Sequence, residues 1–310
     1  MKSLYSFLLT FLLVLAGAYG YCEETARKPQ IIRAGIYILS LGRLDMATGS
    51  FVVDMYLSLK SDDDMPNNNF FEFINGRPSS VECIIDKPKE KFYRILANLT
   101  TTMDLHRYPF DTQKIEIIIE DKTRPTNEVQ FVPLKEECGF DASIIFPGWN
   151  IEGMEVVTRD HEYPAYDEVF SQLVCTVTIS RIRLNAFMKT FIPVIFLMLI
   201  VLSSFILNPE QVTTRLGAIS SALVASAMFH ISISNQIPPS GYLTFADIFM
   251  ILTYLILLCC FCLSIGVYLL QNKGDAGKIS AKKLNRISEY LVFIGMPTLY
   301  ISLFLFFFYS

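Results

Sequence analysis

The segment from Glu210 to Pro238 constrains the fold of this chain most, because it is a polar stretch among long apolar runs. Ser, Thr, Gly, His and Asn recur through it, and a helix that faces lipid would not carry them. Helical periodicity places one set of its side chains on a single face. That face is polar at both ends, small near its start and apolar in the middle, and it consists of Thr213, Gly217, Ser221, Val224, Met228, Ile231 and Asn235.

This face has two interpretations. Several copies of the helix around an axis would enclose a water-filled pore, with hydroxyl groups at the narrow end and a short apolar band that gates by dewetting. Alternatively, the small residues only let neighbouring helices pack closely. The helix alone leaves both open, and the rest of the chain favours the pore.

Four apolar runs are long enough to cross a bilayer, and all lie in the second half of the chain. Of the 310 residues, 52% are hydrophobic and the mean hydropathy is +0.40, but charged residues crowd before about residue 183. A run of about 20 apolar residues predicts a membrane-spanning helix. We therefore predict an exported domain over 21–184 and a transmembrane domain over 185–310, with spans at about 186–207, 214–236, 243–270 and 289–309.

Two independent features predict the orientation. Residues 1–20 contain an early lysine, an apolar core and the small residues Ala16, Gly17 and Ala18, which predicts a secretory signal peptide; a retained anchor is the alternative. The expected short loop 271–286 carries five basic residues, so the positive-inside rule makes it cytoplasmic. Both features place the first domain in the periplasm or outside the cell, in a multi-pass protein of the inner or plasma membrane.

The exported domain has the pattern of a β-sandwich. Runs such as IIRAGIYILSL and SFVVDMYLSLK alternate between apolar and polar residues, and further runs follow up to Arg183. Turn-forming stretches such as DDDMPNNN, NGRPSS, HRYPFD and EYPAYD separate them. This spacing predicts an immunoglobulin-like antiparallel β-sandwich.

Other functional classes receive no support from the sequence. A net charge of −4 gives no reason to expect a nucleic-acid partner. Only three histidines are present, and the closely spaced Cys259, Cys260 and Cys262 lie inside an apolar span, so a metal site is not expected; the chain also has no phosphate loop or nucleophile elbow. We therefore expect no cofactor and no enzymatic activity. Four cysteines lie in the exported part, but their spacing fixes no disulfide pairing: Cys22, Cys83, Cys138 and Cys175.

Specific motifs resemble a known family. The turn from Asp104 to Gln113 reads DLHRYPFDTQ, and it lies in an exported sandwich that precedes four spans with a polar second span. This order and the YPFDTQ stretch resemble the pentameric ligand-gated ion channels, the superfamily of the nicotinic and glycine receptors. RIRLNAF running into FIPVIF, TRLGAISSAL and PPSGYLTFADIFM are similar to segments around the first three spans of that family. Thr101 and Ile115 stand where animal members have the disulfide of this turn, which is typical of prokaryotic members.

The resemblance implies a homopentamer with a bound agonist between neighbouring sandwiches. One side of the pocket would contain Phe71, Phe73, Glu120, Asp121, Tyr163 and Tyr166, and the neighbouring subunit would contribute Met55, Tyr56, Phe92 and Tyr93. Aromatic rings with carboxylates suit an amine through cation–π attraction. Protons are the alternative agonist, because clustered carboxylates can titrate when buried and His230 lies within the membrane.

The resemblance also implies a gating interface between the two domains. Arg181 matches the basic residue that ends the last strand, and Asp111 and Asp45 are its expected partners. Pro109 and Phe110 would press on the segment from Pro238 to Thr244, which includes Tyr242.

Ion selectivity is the least constrained prediction. Prokaryotic relatives mostly conduct cations, so we expect a pore for Na⁺ and K⁺, whereas Thr213-Thr214-Arg215 resembles anion channels and Glu210 lies earlier in the chain. A transporter with alternating access, or a membrane-anchored binding protein or enzyme, are the alternatives from other classes. The first would need internal repeats and broken helices, and the second would need only one span and no polar helix.

Overall fold

The computed structural model describes residues 28–67 and 69–309. The predicted signal peptide and Cys22 lie outside these residues. The described chain begins with ten β-strands and continues with six α-helices. Strands therefore occupy the expected exported domain, and helices occupy the expected membrane domain.

The strands form two sheets. The strands are β1 Gln30–Leu41, β2 Ser50–Ser61, β3 Phe71–Phe73, β4 Gly76–Lys87, β5 Glu90–Thr100, β6 Thr112–Asp121, β7 Val129–Pro133, β8 Gly139–Phe140, β9 Trp149–Tyr163 and β10 Glu168–Arg181. The first sheet has the order β4-β5-β2-β1-β7, with β8 also paired to β1, and the second has the order β3-β6-β10-β9. Inward-facing side chains from both sheets form one apolar core.

The structure corrects the expected sandwich in two respects. The pairing is not purely antiparallel, because β7 and β8 run parallel to β1. The stretch that begins NGRPSS was expected to be a turn, but β4 starts there. β4 is mostly exposed and pairs only with β5, and Pro78 is tolerated because an edge strand need not donate every hydrogen bond.

Six helices follow the sandwich. They are α1 Arg183–Thr190, α2 Ile192–Ile206, α3 Val212–Ser234, α4 Phe245–Gln271, α5 Gly274–Tyr290 and α6 Met296–Tyr309. A break at Phe191 with a bend of 42° separates α1 from α2, and Pro193 lies in the first turn of α2, where its missing N–H costs nothing. Within the described residues, three helices are long and apolar enough to cross a membrane, with α5 and α6 counted as one continuous helix over Gly274–Phe308. The number is four if the bent pair of α1 and α2 is one span.

The expected loop 271–286 is helical instead. After a turn at Gly274 (φ +78°), α5 runs alongside α4 and continues through the wider turn Leu291–Gly295 into α6. Its buried side carries small or polar residues, namely Gly277, Ala281, Asn285 and Ser288. A Cβ added to Gly277 would lie 2.3 Å from the carbonyl oxygen of Leu270, so glycine permits this close approach.

Candidate ion pathway and gating interface

One face of α3 is exposed in the part of the chain that the structure describes. Val224, Met228 and Ile231 are 60%, 68% and 61% exposed, which leaves an apolar band open along the helix. The other predicted pore residues on this face are also exposed: Thr213, Gly217, Ser221 and Asn235. We call these seven residues the α3 stripe. The stripe is therefore available to line a pathway or to contact another subunit.

The opposite face of α3 packs inside the helical domain. Ile219 and Ala222 belong to an apolar cluster with Val194, Met198 and Phe249 of α2 and α4. Ser226 is fully buried and donates its hydroxyl hydrogen to the carbonyl oxygen of Leu223, 2.9 Å away. The small polar residues on this side therefore serve packing, whereas those of the α3 stripe do not.

Arg215 lies on the packed face of α3. The side chain is 0% exposed, and its Nη1 donates to Oδ1 of Asn285 at 2.7 Å. The sequence Thr213-Thr214-Arg215 suggested a positive charge near the inner mouth of an anion channel. In this structure the charge lies inside the helical domain, on the side of α3 away from the α3 stripe.

Arg181 and Asp111 form a buried ion pair where the sandwich meets the helices. Arg181 Nε lies 2.7 Å from Asp111 Oδ1, and Arg181 Nη2 lies 3.2 Å from Oδ2. The Asp111 side chain is 1% exposed and also accepts a hydrogen bond from Gln113 at 2.6 Å. The guanidinium lies 4.3 Å from the centre of the Trp149 ring. This two-bond geometry fixes the end of β10 against the turn from Asp104 to Gln113, which we call the YPFD turn.

Asp45 does not join this pair, although the sequence analysis placed it there. Its exposed carboxylate accepts a hydrogen bond from the backbone N–H of Ala47 at 2.9 Å, and this bond lowers the pKa of Asp45. The next residue, Met46, contacts Arg181 instead, with its sulfur 3.6 Å from Nη2. The carboxylate of Asp45 thus closes its own turn.

The YPFD turn contacts the segment between α3 and α4. Tyr242 stacks on His106 with ring centres 3.7 Å apart, and its hydroxyl accepts a hydrogen bond from the backbone of Leu105 at 2.9 Å. The backbone N–H groups of Phe245 and Ala246 bond to carbonyl oxygens of the same turn, each at 3.1 Å. Pro109 is buried in the turn, and Pro238 is half-buried before Tyr242.

Phe110 enters the helical domain from this turn. Its ring centre lies 5.7 Å from that of Phe191 and 5.4 Å from that of Phe308. Phe245 and Phe304 are further members of the cluster. A movement of the turn would therefore shift side chains at the break between α1 and α2 and at the end of α6.

A hydrogen-bonded link joins α3 to the start of α4. His230 Nε2 lies 2.9 Å from Oδ1 of Asp247, and Nδ1 lies 3.0 Å from the hydroxyl of Tyr254. A neutral imidazole with its proton on Nε2 satisfies both contacts. Asp247 also caps α4, because Oδ2 accepts from the backbone N–H of Thr244 and the Thr244 hydroxyl accepts from the N–H of Asp247.

The two roles of Asp247 lead to a stability prediction. Asp247→Ala removes the capping box and the acceptor for His230, so we expect a loss of about 1 to 3 kcal/mol in the free energy of unfolding. Thermal unfolding of the detergent-solubilised protein measures the loss. Asp275→Ala is the matched control, because Asp275 lies in the first turn of α5 with its side chain 97% exposed. Equal melting temperatures for the two variants would contradict the assignment.

Five of the predicted agonist residues have structural roles within one chain. Phe71, Phe73 and Tyr93 are 1%, 6% and 4% exposed and belong to the sandwich core. Met55 is 0% exposed in the same core. Asp121 is buried and forms an ion pair with Arg124 at 2.7 Å. The structure thus corrects the expectation that these five side chains face a ligand between subunits.

Glu120 and Tyr163 do form a polar cluster at the β6–β10–β9 end of the second sheet. The Glu120 carboxylate accepts hydrogen bonds from the Tyr163 hydroxyl at 3.2 Å and from Gln172 at 2.7 Å. Burial and then the Glu120 charge raise the pKa of Tyr163 to about 12. Tyr166 lies at the tip of the β9–β10 hairpin and is 76% exposed. This end therefore holds a buried carboxylate, since Glu120 is 3% exposed, beside one half-buried and one exposed ring.

Tyr56 and Phe92 lie elsewhere, on the outer face of the first sheet. Their rings stack with centres 5.1 Å apart beside a cavity of about 400 Å³. Tyr37 lines the same cavity, with Lys60 hydrogen-bonded to Glu137 at its edge. That hydrogen bond raises the pKa of Lys60. Tyr37 and this ion pair were not predicted, although the period-two alternation of β1 places Tyr37 on the polar face.

No family model matches the chain, but comparisons with known proteins find similar ion channels. The chain is 23% identical over 295 residues to a proton-gated ion channel of Gloeobacter violaceus, which covers 87% of this chain and 82% of that protein. It is 22% identical over 224 residues to a gamma-aminobutyric acid receptor subunit beta-like of Drosophila melanogaster, covering 72% of this chain and 44% of that protein. An acetylcholine-gated chloride channel subunit of Caenorhabditis elegans is 22% identical over 196 residues, 62% of this chain and 44% of its own length.

This chain is a homologue of the pentameric ligand-gated ion channels. Like those relatives it is a membrane protein, and its β-rich N-terminal domain is extracellular. The YPFD turn of this channel homologue therefore lies at the outer membrane surface, and the start of α3 lies at the inner end.

The partners of His230, Asp247 and Tyr254, were not predicted from the sequence. Nothing in the apolar pattern of α4 marks which of its polar residues face α3.

Proposed function

We propose that five copies of this chain form an agonist-gated ion channel whose pore is lined by the α3 stripe. The observation that carries this proposal is the division of α3 into two faces. One face is packed against α2 and α4, and the other is exposed over its full length with hydroxyls near the inner end. A lone polar helix face in a membrane needs water or protein beside it, and a fivefold arrangement supplies both.

We propose that the pore conducts cations such as Na⁺ and K⁺. Burial of Arg215 supports this, because its charge is withdrawn from the α3 stripe, whereas Glu210 stays exposed near the inner end. A ring of carboxylates there would attract cations. A specific observation favours the anion alternative: Lys278 and Lys282 line the same cavity of about 630 Å³ as Glu210 and Thr213.

The proposed agonist site lies between neighbouring sandwiches. One subunit offers Glu120 and Tyr163, with Tyr166 at the hairpin tip, and its neighbour offers the stacked rings of Tyr56 and Phe92. A carboxylate with aromatic rings favours an amine. Protons are the second candidate, because a relative is a proton-gated channel.

Current recordings from purified protein in lipid bilayers test the proposal. The bath is stepped in pH and then supplied with a panel of primary amines, and reversal potentials are measured under a NaCl gradient. We expect currents that appear on one of these challenges and reverse near the Na⁺ potential. Reversal near the Cl⁻ potential would establish the anion alternative, and no current from intact pentamers under any challenge would contradict the proposed channel. Solute uptake without current would favour a transporter instead.

A further inference from the structure

The buried Arg215 joins three helices at the inner end of the membrane domain. Its Nε donates to the carbonyl oxygen of Ser204 at 3.2 Å, and its Nη1 donates to Oδ1 of Asn285 at 2.7 Å. The guanidinium also lies 4.5 Å from the ring centre of Phe205. Arg215 belongs to α3, Ser204 and Phe205 to the end of α2, and Asn285 to α5.

The end of α2 is suited to hold this charge. The last carbonyl groups of a helix have no partner within the helix, and the helix dipole makes this end favourable for a cation. Nη2 of Arg215 also donates to the carbonyl oxygen of Leu207 at 3.3 Å. The planar guanidinium can reach Ser204, Leu207 and Asn285 together, which the single ammonium of a lysine cannot do in the same geometry.

Asn285 relays this contact to a carboxylate. Its Oδ1 accepts from Arg215, and its Nδ2 donates to Oε1 of Glu289 at 2.6 Å. Asn285 is buried and Glu289 is half-buried, both on α5. The amide therefore connects the pore helix to the helix that leads into the last span.

The position of Arg215 gives this network a consequence for the pore. Arg215 lies two residues after Thr213 and two before Gly217, which are exposed on the other face of α3. A shift of the first turn of α3 would break the bonds of a buried charge. We propose that Arg215, held by Asn285 and the end of α2, is a positioning residue that sets the width of the inner pore mouth and hence the largest ion that passes.

This inference rests on the proposed channel function, so the test combines a structural measurement with an ion measurement. Asn285→Ala removes the relay without touching the α3 stripe, and Arg286→Ala is the matched control, because Arg286 is the next residue on α5 and is exposed. We expect amide hydrogen exchange over 208–217 to rise about tenfold in Asn285→Ala, as for loss of a hydrogen bond to a charged group. Arg286→Ala should exchange like the parent.

The ion measurement is the permeability of dimethylammonium relative to Na⁺, or of acetate relative to Cl⁻ if the pore conducts anions. We expect Asn285→Ala to raise this ratio several-fold. Asn285→Asp loses the donor to Glu289 but keeps the acceptor for Arg215, which is the contact that the inference requires, so we expect it to preserve the ratio even if the alanine variant does not fold. Arg215→Lys should raise the ratio as well. Unchanged ratios in the variants, with or without faster exchange, would overturn the inference. Absence of current in the parent would contradict the channel function instead, and the exchange measurement would still test the network.

Discussion

We expect Arg181→Ala to destabilise the protein so strongly that little folded protein remains in the membrane. The substitution leaves the carboxylate of Asp111 without its cation, although that side chain is 1% exposed. Breaking a buried ion pair by removing one partner costs about 3 to 5 kcal/mol, which is a large part of the stability of a domain. The stacking of the guanidinium on Trp149 is lost as well.

Fluorescence-detected size-exclusion chromatography after heating measures this effect as loss of the assembled peak. The control is Arg94→Ala, because Arg94 pairs with Asp54 at 2.9 Å but is 50% exposed, and such surface pairs contribute about 0 to 1 kcal/mol. We expect the control to resemble the parent. An Arg181→Ala protein as heat-stable as the control would show that the pair contributes no more than a surface contact.

Val224→Ser is expected to raise the current that flows without agonist by at least about tenfold, because one hydroxyl per subunit is placed in the apolar band. The Val224 side chain is 60% exposed on the α3 stripe, between the hydroxyl of Ser221 and the apolar Met228. Burying a valine side chain away from water contributes about 1.5 to 3 kcal/mol, and the change is repeated in every copy of the helix. Wetting of the band therefore becomes much less costly.

Unstimulated ion flux into proteoliposomes measures the effect. Leu223→Ser is the control, because Leu223 is the adjacent residue on α3 and is also exposed, but lies outside the α3 stripe. We expect the flux of the control to stay near that of the parent. Equal flux in all three proteins would mean that the band does not close the pathway.

The periodicity of α3 and the YPFDTQ motif predicted much of the architecture. Period 3.6 is enough to place Thr213, Val224 and Asn235 on one face, and the structure leaves that face exposed. The pairing of Arg181 with Asp111 followed from the resemblance. The pattern alone gives no distance between residues so far apart in the chain.

Other features depend on packing that alternation does not reveal. Phe71 and Phe73 alternate on β3 as ligand-facing rings would, but the second sheet turns that face toward the core. The helix α5 was missed because the residues it buries are small or polar, such as Gly277 and Asn285, so no apolar period marks it. The burial of Arg215 could not be predicted from the sequence, since its hydrogen-bond acceptors lie on two other helices.

Cysteine substitution along α3 tests most directly whether this helix lines the pore. A charged thiosulfonate reagent is applied to each variant, and block of the current is measured. Thr213→Cys and Ser221→Cys lie on the α3 stripe, whereas Ala222→Cys and Ser226→Cys lie on the buried face. The effect of the reagent on the parent current is measured first. We predict block at the two stripe positions and none at the two buried positions. Currents that the reagent leaves unchanged at the stripe positions, or blocks equally on both faces, would contradict a pore lined by α3.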